Sequence, residues 1–291
     1  MRKNKNHAFR NELNPPQMLL ARTLLTVIFL LMFLPMWNVI IVSTSTTLES
    51  SASGIKLWWT AFSLEGYEHI FRIARLGTPL MNSIYVTVVG TIIQVALSAL
   101  AGYVLIIKNL PGKALITSFI LLTMMIPPDL TLISTYLLNR QLGLLNSYTG
   151  LILNGLISGF SILLMRNYFL SVPTSLAESA RLDGASELTI FAKIYLPISI
   201  PGLATVFFLD FVGKWNSTTI PATLITQQRL FTLPLMLRSL IIEQSSVSGA
   251  ATAPPNAVMA AVVVSALPLL VLYIVAQRFL LSGMTLGASK E

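Results

Sequence analysis

Residues 171–197 read SVPTSLAESARLDGASELTIFAKIYLP, a polar and patterned stretch set between apolar runs. It is longer than the handful of residues that usually joins two helices. Ser175 and Glu178 have capping-box spacing, so a short helix is expected to start there. Asp183-Gly184 supplies its stop. Ser186 then caps a second helix, in which Leu188, Phe191, Ile194 and Tyr195 recur at helical spacing, and Pro197 ends it. The expected product is a helix–turn–helix, a shape suited to docking in a groove of another protein. The same residues also fit a purely structural role, with Glu178 completing a capping box and Gly184 serving as a C-cap. From the residues alone both readings stay open.

Outward from this stretch the chain is apolar. Hydrophobic residues make up 54% and charged residues 10% of the 291 residues, against about 25% charged in a globular chain, and the mean hydropathy is +0.76. Six apolar runs read as membrane spans, at 24–42, 84–107, 114–136, 150–169, 198–213 and 257–277. As a helix the first is about 28 Å long, close to a hydrocarbon core of about 30 Å and too long for the apolar part of a signal peptide. The second contains Gly90, Ser98, Ala99, Ala101 and Gly102, which let neighbouring backbones approach. The third is broken at Pro127-Pro128-Asp129, where Asp129 is expected to cap the restarting helix. The fold class is all-α, a polytopic membrane protein.

Six spans put both termini on one side, and the distribution of positive charge says which. With cytoplasmic termini, the inner segments hold 12 of the 19 basic residues, including the N-terminal segment 1–23 and the tail 282–291. Topology therefore accounts for the net charge of +8, and no nucleic-acid partner is needed. The partner implied by composition is membrane lipid. With no Cys, and only His7 and His69, thiolate chemistry, disulfides and zinc clusters are excluded. Gly112-Lys113 and Gly213-Lys214 lack the upstream glycine and the following hydroxyl of a phosphate-binding loop, so the chain has no such device for ATP.

The string Glu178-Ser179-Ala180-x-x-Asp183-Gly184-Ala185, followed by Phe191, Ile194 and Leu196-Pro197, resembles the EAA motif of binding-protein-dependent ABC importer permeases. Ser179 stands where that family usually has Ala. The tail Gln277-Arg278-Phe279-x-x-x-Gly283-x-Thr285-x-Gly287-Ala288-x-Lys290 is similar to that of maltose-type sugar permeases, as are Met125-Ile-Pro127 through Tyr136, Leu142-Gly143-Leu144-x-Asn146 and Trp215-Asn216. Leu233-Pro-Leu through Arg238-Ser-Leu, with Ala253-Pro-Pro-Asn-Ala257, resembles the oligosaccharide-importing branch that includes alginate importers. The resemblance implies a type I ABC importer permease fold in a bacterial inner membrane. It also implies a non-catalytic subunit paired with a second, homologous permease, with two ATP-binding subunits that carry ATP and Mg, and with an extracytoplasmic sugar-binding protein. The cargo implied is an oligosaccharide, with acidic ones such as alginate among the candidates. Glu178, Ser179, Ala180, Asp183, Gly184 and Ala185 would then couple the permease to the ATPase.

Ionisable groups at membrane depth are functional suspects by default. Asp210 and Lys214 lie four apart and can form an ion pair on one helix face, which would also be a plain structural explanation. Asp129 is either a cap or a sugar ligand at a broken helix. Trp215-Asn216 is the best sugar-contact candidate, because an indole face can pack on a pyranose and an amide can bridge hydroxyls; an interfacial anchor explains the Trp equally cheaply. Asn38, Gln94 and Asn154 read as bonds between helices, and Trp58-Trp59 as interface anchors. Two other classes remain as alternatives, an ion-coupled secondary transporter and a membrane-embedded assembly or channel subunit. Neither requires the helix–turn–helix.

Overall fold

The structure, a computed structural model, describes residues 14–72, 75–246 and 253–288. Expectations that rest on residues 1–13, on 247–252 of the second outer loop and on Lys290 lie outside the described residues. Among the described residues the regular structure is helical, and one isolated bridge joins Ser45 to Phe62.

The first helix among the described residues is α1 (Pro15–Ser43), where Pro15 sits at the first helical position and the Asn14 N–H donates to Gln17 Oε1 at 3.1 Å. Two short helices, α2 (Thr47–Ser51) and α3 (Glu65–Arg72), precede the long α4 (Gly77–Val104). Then come α5 (Lys113–Met125), a 3-10 turn (Pro128–Thr131), α6 (Leu132–Gln141), α7 (Tyr148–Leu153) and α8 (Gly159–Leu170). The polar stretch forms α9 (Thr174–Leu182), α10 (Glu187–Ile190), a π turn (Phe191–Tyr195) and α11 (Leu196–Ile198). The rest is α12 (Ile200–Trp215), α13 (Thr219–Leu224), a 3-10 turn (Gln228–Leu230), α14 (Leu233–Ser246) and α15 (Pro255–Ala288).

Among the described residues, α1, α4 and α15 as far as Leu280 are long and apolar enough to cross a membrane; two bent pairs raise the number to as many as five. The expected third span, 114–136, is not straight. Pro127 and Pro128 remove two backbone donors, and the chain turns 90° between Lys113–Met125 and Pro128–Gln141. Asp129 caps nothing there: it is exposed in the 3-10 turn, whose N-cap is Pro127, and α6 starts after Thr131 with no side-chain cap. The expected fourth span, 150–169, is likewise two helices. The Asn154 amide donates back to the Gly150 carbonyl at 2.6 Å, and Ser158 Oγ accepts from the Ser161 N–H at 3.2 Å to start α8 afresh.

Two compact units divide the chain, residues 1–68 with 254–263 and residues 69–253 with 264–291. In the first, the loop after α1 is tied down by side chains. Trp37 Nε1 donates to the Leu57 carbonyl at 2.9 Å, Asn38 Nδ2 to Lys56 at 3.0 Å, and Trp59 Nε1 to Thr44 Oγ1 at 2.7 Å. Glu49 accepts the N–H groups of Thr60 and Ala61, which hold its carboxyl below the ordinary carboxylate range. In the second unit α4, α8 and α12 form the packed centre. Gly102 is what lets α4 and α8 meet: a Cβ there would lie 2.9 Å from the Arg166 nitrogen and 3.0 Å from Met165 Cβ. Gly102 thus gives the close backbone approach expected of the small residues in this run.

Candidate functional site

The polar stretch folds as the expected helix–turn–helix, with two local corrections. Its first helix runs from Thr174 with Pro173, not Ser175, as the N-cap: the proline presets φ at −57°, and there is no side-chain cap bond. Glu178 is therefore mid-helix and does not complete a capping box. Its Oε1 accepts from Lys108 Nζ at 2.8 Å, and that hydrogen bond and charge hold the Glu178 carboxyl below its ordinary range. The helix closes as a Schellman motif: Ala185 N–H donates to Ala180 O at 2.9 Å and Gly184 N–H to Arg181 O at 3.0 Å, with Gly184 at φ +82°. Asp183 is the C-cap, and its N–H donates to Ser179 O at 3.0 Å.

Ser186 caps the second helix as expected, accepting from the Thr189 N–H at 3.3 Å. Pro197 does not end it. The i→i−4 ladder is already interrupted by the π turn Phe191–Tyr195, so the missing proline donor is accommodated and the helix runs on to Ile198. The chain then turns 78° between Ile198 and Ile200, into α12.

Aromatic residues seat this element on the bundle. Tyr103 of α4, Phe169 of α8, and Phe191 and Tyr195 of the π turn are all buried, with ring centroids 5.1–6.3 Å apart in tilted and edge-on pairs. Ala177 is buried in the same cluster, and Ala180 and Ala185 pack against it from the edge. Tyr103 OH donates to Glu187 Oε2 at 2.6 Å, and Arg181 Nε donates to Glu187 Oε1 at 2.7 Å, so one carboxylate ties the first helix, the second helix and α4 together. The tip is different: Leu182 is 90% and Leu188 70% exposed. Leucines fixed outward on a rigid support are what a partner groove would cover. Lys108, Arg181, Glu187 and Tyr103 were not singled out from the sequence as site residues. Arg181 and Glu187 flank the predicted turn and could have been paired on that ground; Lys108, 70 residues from Glu178, could not.

The suspected pathway residues come apart. Asp210 and Lys214 do not form the expected ion pair: Asp210 Oδ1 accepts from Ser161 Oγ at 2.7 Å, and Lys214 Nζ donates to the Gly155 carbonyl. Trp215 is 2% exposed, its ring stacked on Phe211 and its Nε1 donating to the Ser265 carbonyl at 3.0 Å. An indole so enclosed offers no face to a pyranose and acts as a packing residue, while Asn216 is exposed at the end of α12. Asn154 and Asn139 exchange amide hydrogen bonds at 3.0 and 3.2 Å, and Gln94 Nε2 lies 3.5 Å from Ser161 Oγ. Lys214 and Asn154 instead line a cavity of about 80 Å³ together with Ser83, Thr87, Ser217 and Thr232. Asp129 is not part of it.

Residues 94–285 match the family model described as binding-protein-dependent transport system inner membrane component. Over 275 residues, 90% of this chain and 96% of the relative, the sequence is 34% identical to a polygalacturonan/rhamnogalacturonan transport system permease protein of Bacillus subtilis (strain 168). It is 29% identical to an arabinooligosaccharides transport system permease protein of Halalkalibacterium halodurans, covering 88% of this chain and 90% of that one. A chain in the crystal structure of a bacterial ABC transporter involved in the import of the acidic polysaccharide alginate superposes with a TM-score of 0.82 at 25% identity, covering 90% of this chain and 96% of that one.

Proposed function

The chain belongs to the family of binding-protein-dependent transport system inner membrane components, and from that premise we infer that it is the permease subunit of an ABC importer for sugars or oligosaccharides. It is a multi-pass inner-membrane protein and a non-catalytic subunit; nucleotide chemistry belongs to a separate chain. The observation that carries the reading is the helix–turn–helix, closed at Gly184 and seated on α4 and α8 through the aromatic cluster, within the matched region 94–285.

The finer reading follows from the same features. The helix–turn–helix is the coupling element, with Glu178, Ser179, Ala180, Asp183, Gly184 and Ala185 at the contact with an ATP-binding subunit, where ATP and Mg reside. Six spans are proposed: α1, α4, bent α5–α6, broken α7–α8, α12 and α15, with both termini cytoplasmic. The excess of basic residues in the inner segments supports that orientation. The complex is completed by a second, homologous permease and an extracytoplasmic sugar-binding protein. The cargo is an oligosaccharide, and the alginate and polygalacturonan relatives favour an acidic one.

Affinity purification of the chain from membranes tests this. An ATPase subunit and a second homologous membrane subunit should accompany it, and the isolated chain should neither bind nor hydrolyse ATP. Hydrolysis by the isolated chain would overturn the reading.

A further inference from the structure

We propose that the cavity around Lys214 is a carboxylate subsite that receives the acid group of a hexuronate unit of the cargo; this deepens, and rests on, the importer reading. The cavity, about 80 Å³, is far below the ~300–1,000 Å³ of a pocket for a whole small molecule. It fits one polar end group of a sugar and not its ring. Its polar lining is one ammonium, one amide and four hydroxyls, from Lys214, Asn154, Ser83, Thr87, Ser217 and Thr232.

Two features show that the site is built. First, the lysine side chain packs against glycines of two other segments, α4 and the turn after α7. A Cβ on Gly155 would lie 2.5 Å from Lys214 Nζ, and a Cβ on Gly90 of α4 would lie 3.4 Å from Lys214 Cδ. The ammonium is thus threaded into the break between α7 and α8, where the Gly155 carbonyl takes one of its three N–H donors. Asp210, one turn back on α12, has its Oδ1 bonded to Ser161 and acts on the ammonium by charge across space, not by contact. Second, Thr232 is 6% exposed, lines the cavity, and its Oγ1 has no hydrogen-bond partner. A buried hydroxyl without a partner is costly, and the half-buried ammonium keeps two donors beyond the one given to Gly155. A carboxylate in the cavity satisfies both, accepting from the ammonium and from the Thr232 hydroxyl. A neutral sugar hydroxyl can accept from the same donors, but only a carboxylate makes the bond to the ammonium one between two charged groups. Lys214 lies about 21 Å along α12 from Ile200, near the end of the helix remote from the coupling element.

The test uses the complete importer in vesicles with its binding protein, and compares uptake of a hexuronate trisaccharide with uptake of its methyl triester, which has the same size and no charge. In Lys214→Met the ratio of acid to ester uptake should fall at least tenfold, and in Thr232→Val about threefold. A lysine that only holds the α7–α8 break would lower both cargoes together and leave the ratio unmoved, and that result overturns the subsite. Uptake by the wild type of neutral oligosaccharides alone also overturns the subsite, while the importer reading stands. Uptake of no sugar by the wild type overturns both.

Discussion

Glu187 accepts from Tyr103 on Oε2 at 2.6 Å and from Arg181 on Oε1 at 2.7 Å, with a second Arg181 nitrogen donating to Oε2 at 3.2 Å. A single carboxylate therefore joins the long helix α4 to both arms of the helix–turn–helix. On the proposed coupling role, movement of that element would reach α4 through this joint and through the packed rings of Phe169, Phe191 and Tyr195.

Removing the joint should loosen transmission without unseating the element, because the aromatic packing remains. Net contributions of such bonds are about 1 kcal/mol each where one partner is half exposed. Tyr103→Phe and Glu187→Gln should each lower the thermal midpoint of the purified complex by roughly 2 °C. Binding-protein-stimulated ATP hydrolysis should fall a few-fold in both. Equal and non-additive losses in the double variant would assign them to one joint, whereas additive losses would separate them.

The Lys108–Glu178 pair makes a prediction with a defined sign. The Glu178 carboxyl sits below its ordinary value of 4.5 because Lys108 bonds and charges it, so the stabilisation is complete above that value and is lost as pH falls through the lowered one. The difference in thermal midpoint between wild type and Glu178→Gln should be constant well above pH 4.5 and shrink as pH falls below it. A difference that grew with acidity would contradict the pairing. Both side chains are largely exposed, so the difference should be small and weaken with salt.

Trp215 is enclosed, so its truncation should act on packing. Trp215→Ala should cost about 3–5 kcal/mol and reduce the amount of assembled complex, and Trp215→Phe should recover most of it. A normal yield of complex with uptake selectively lost would instead return the indole to the transport path.

The sequence made the helix–turn–helix legible because its signals are local: Gly184 and Ser186 act within a few residues of themselves. It misplaced the N-cap by two residues, where Pro173 outranked the Ser175–Glu178 spacing. The small residues of the second span forecast the close approach at Gly102. What escaped was settled by distant partners. Lys214 looked paired to Asp210 by helical spacing, yet its ammonium reaches Gly155, 59 residues away, because the break in α7–α8 leaves a carbonyl free there. That break had its own signal in Asn154-Gly155 and Ser158-Gly159, hidden inside a run apolar enough to pass for one span. The enclosure of Trp215 depends on Phe211 and Ser265 and has no local signature.

The central claim is that the turn at Gly184 transmits the state of the permease to an ATPase. At φ +82° a β-branched residue is strained by about 1 kcal/mol or more, and it would tilt the two helices that present Leu182 and Leu188. The measurement is ATP hydrolysis by the complete importer in vesicles, with and without loaded binding protein, for wild type and Gly184→Val. The expected result is loss of roughly tenfold or more in stimulation by the variant, a barrier change of about 1.4 kcal/mol or more, with the variant still in the membrane and still bound by the loaded protein. Stimulation and uptake at wild-type levels in Gly184→Val would mean that residues 171–197 are only a turn between two spans.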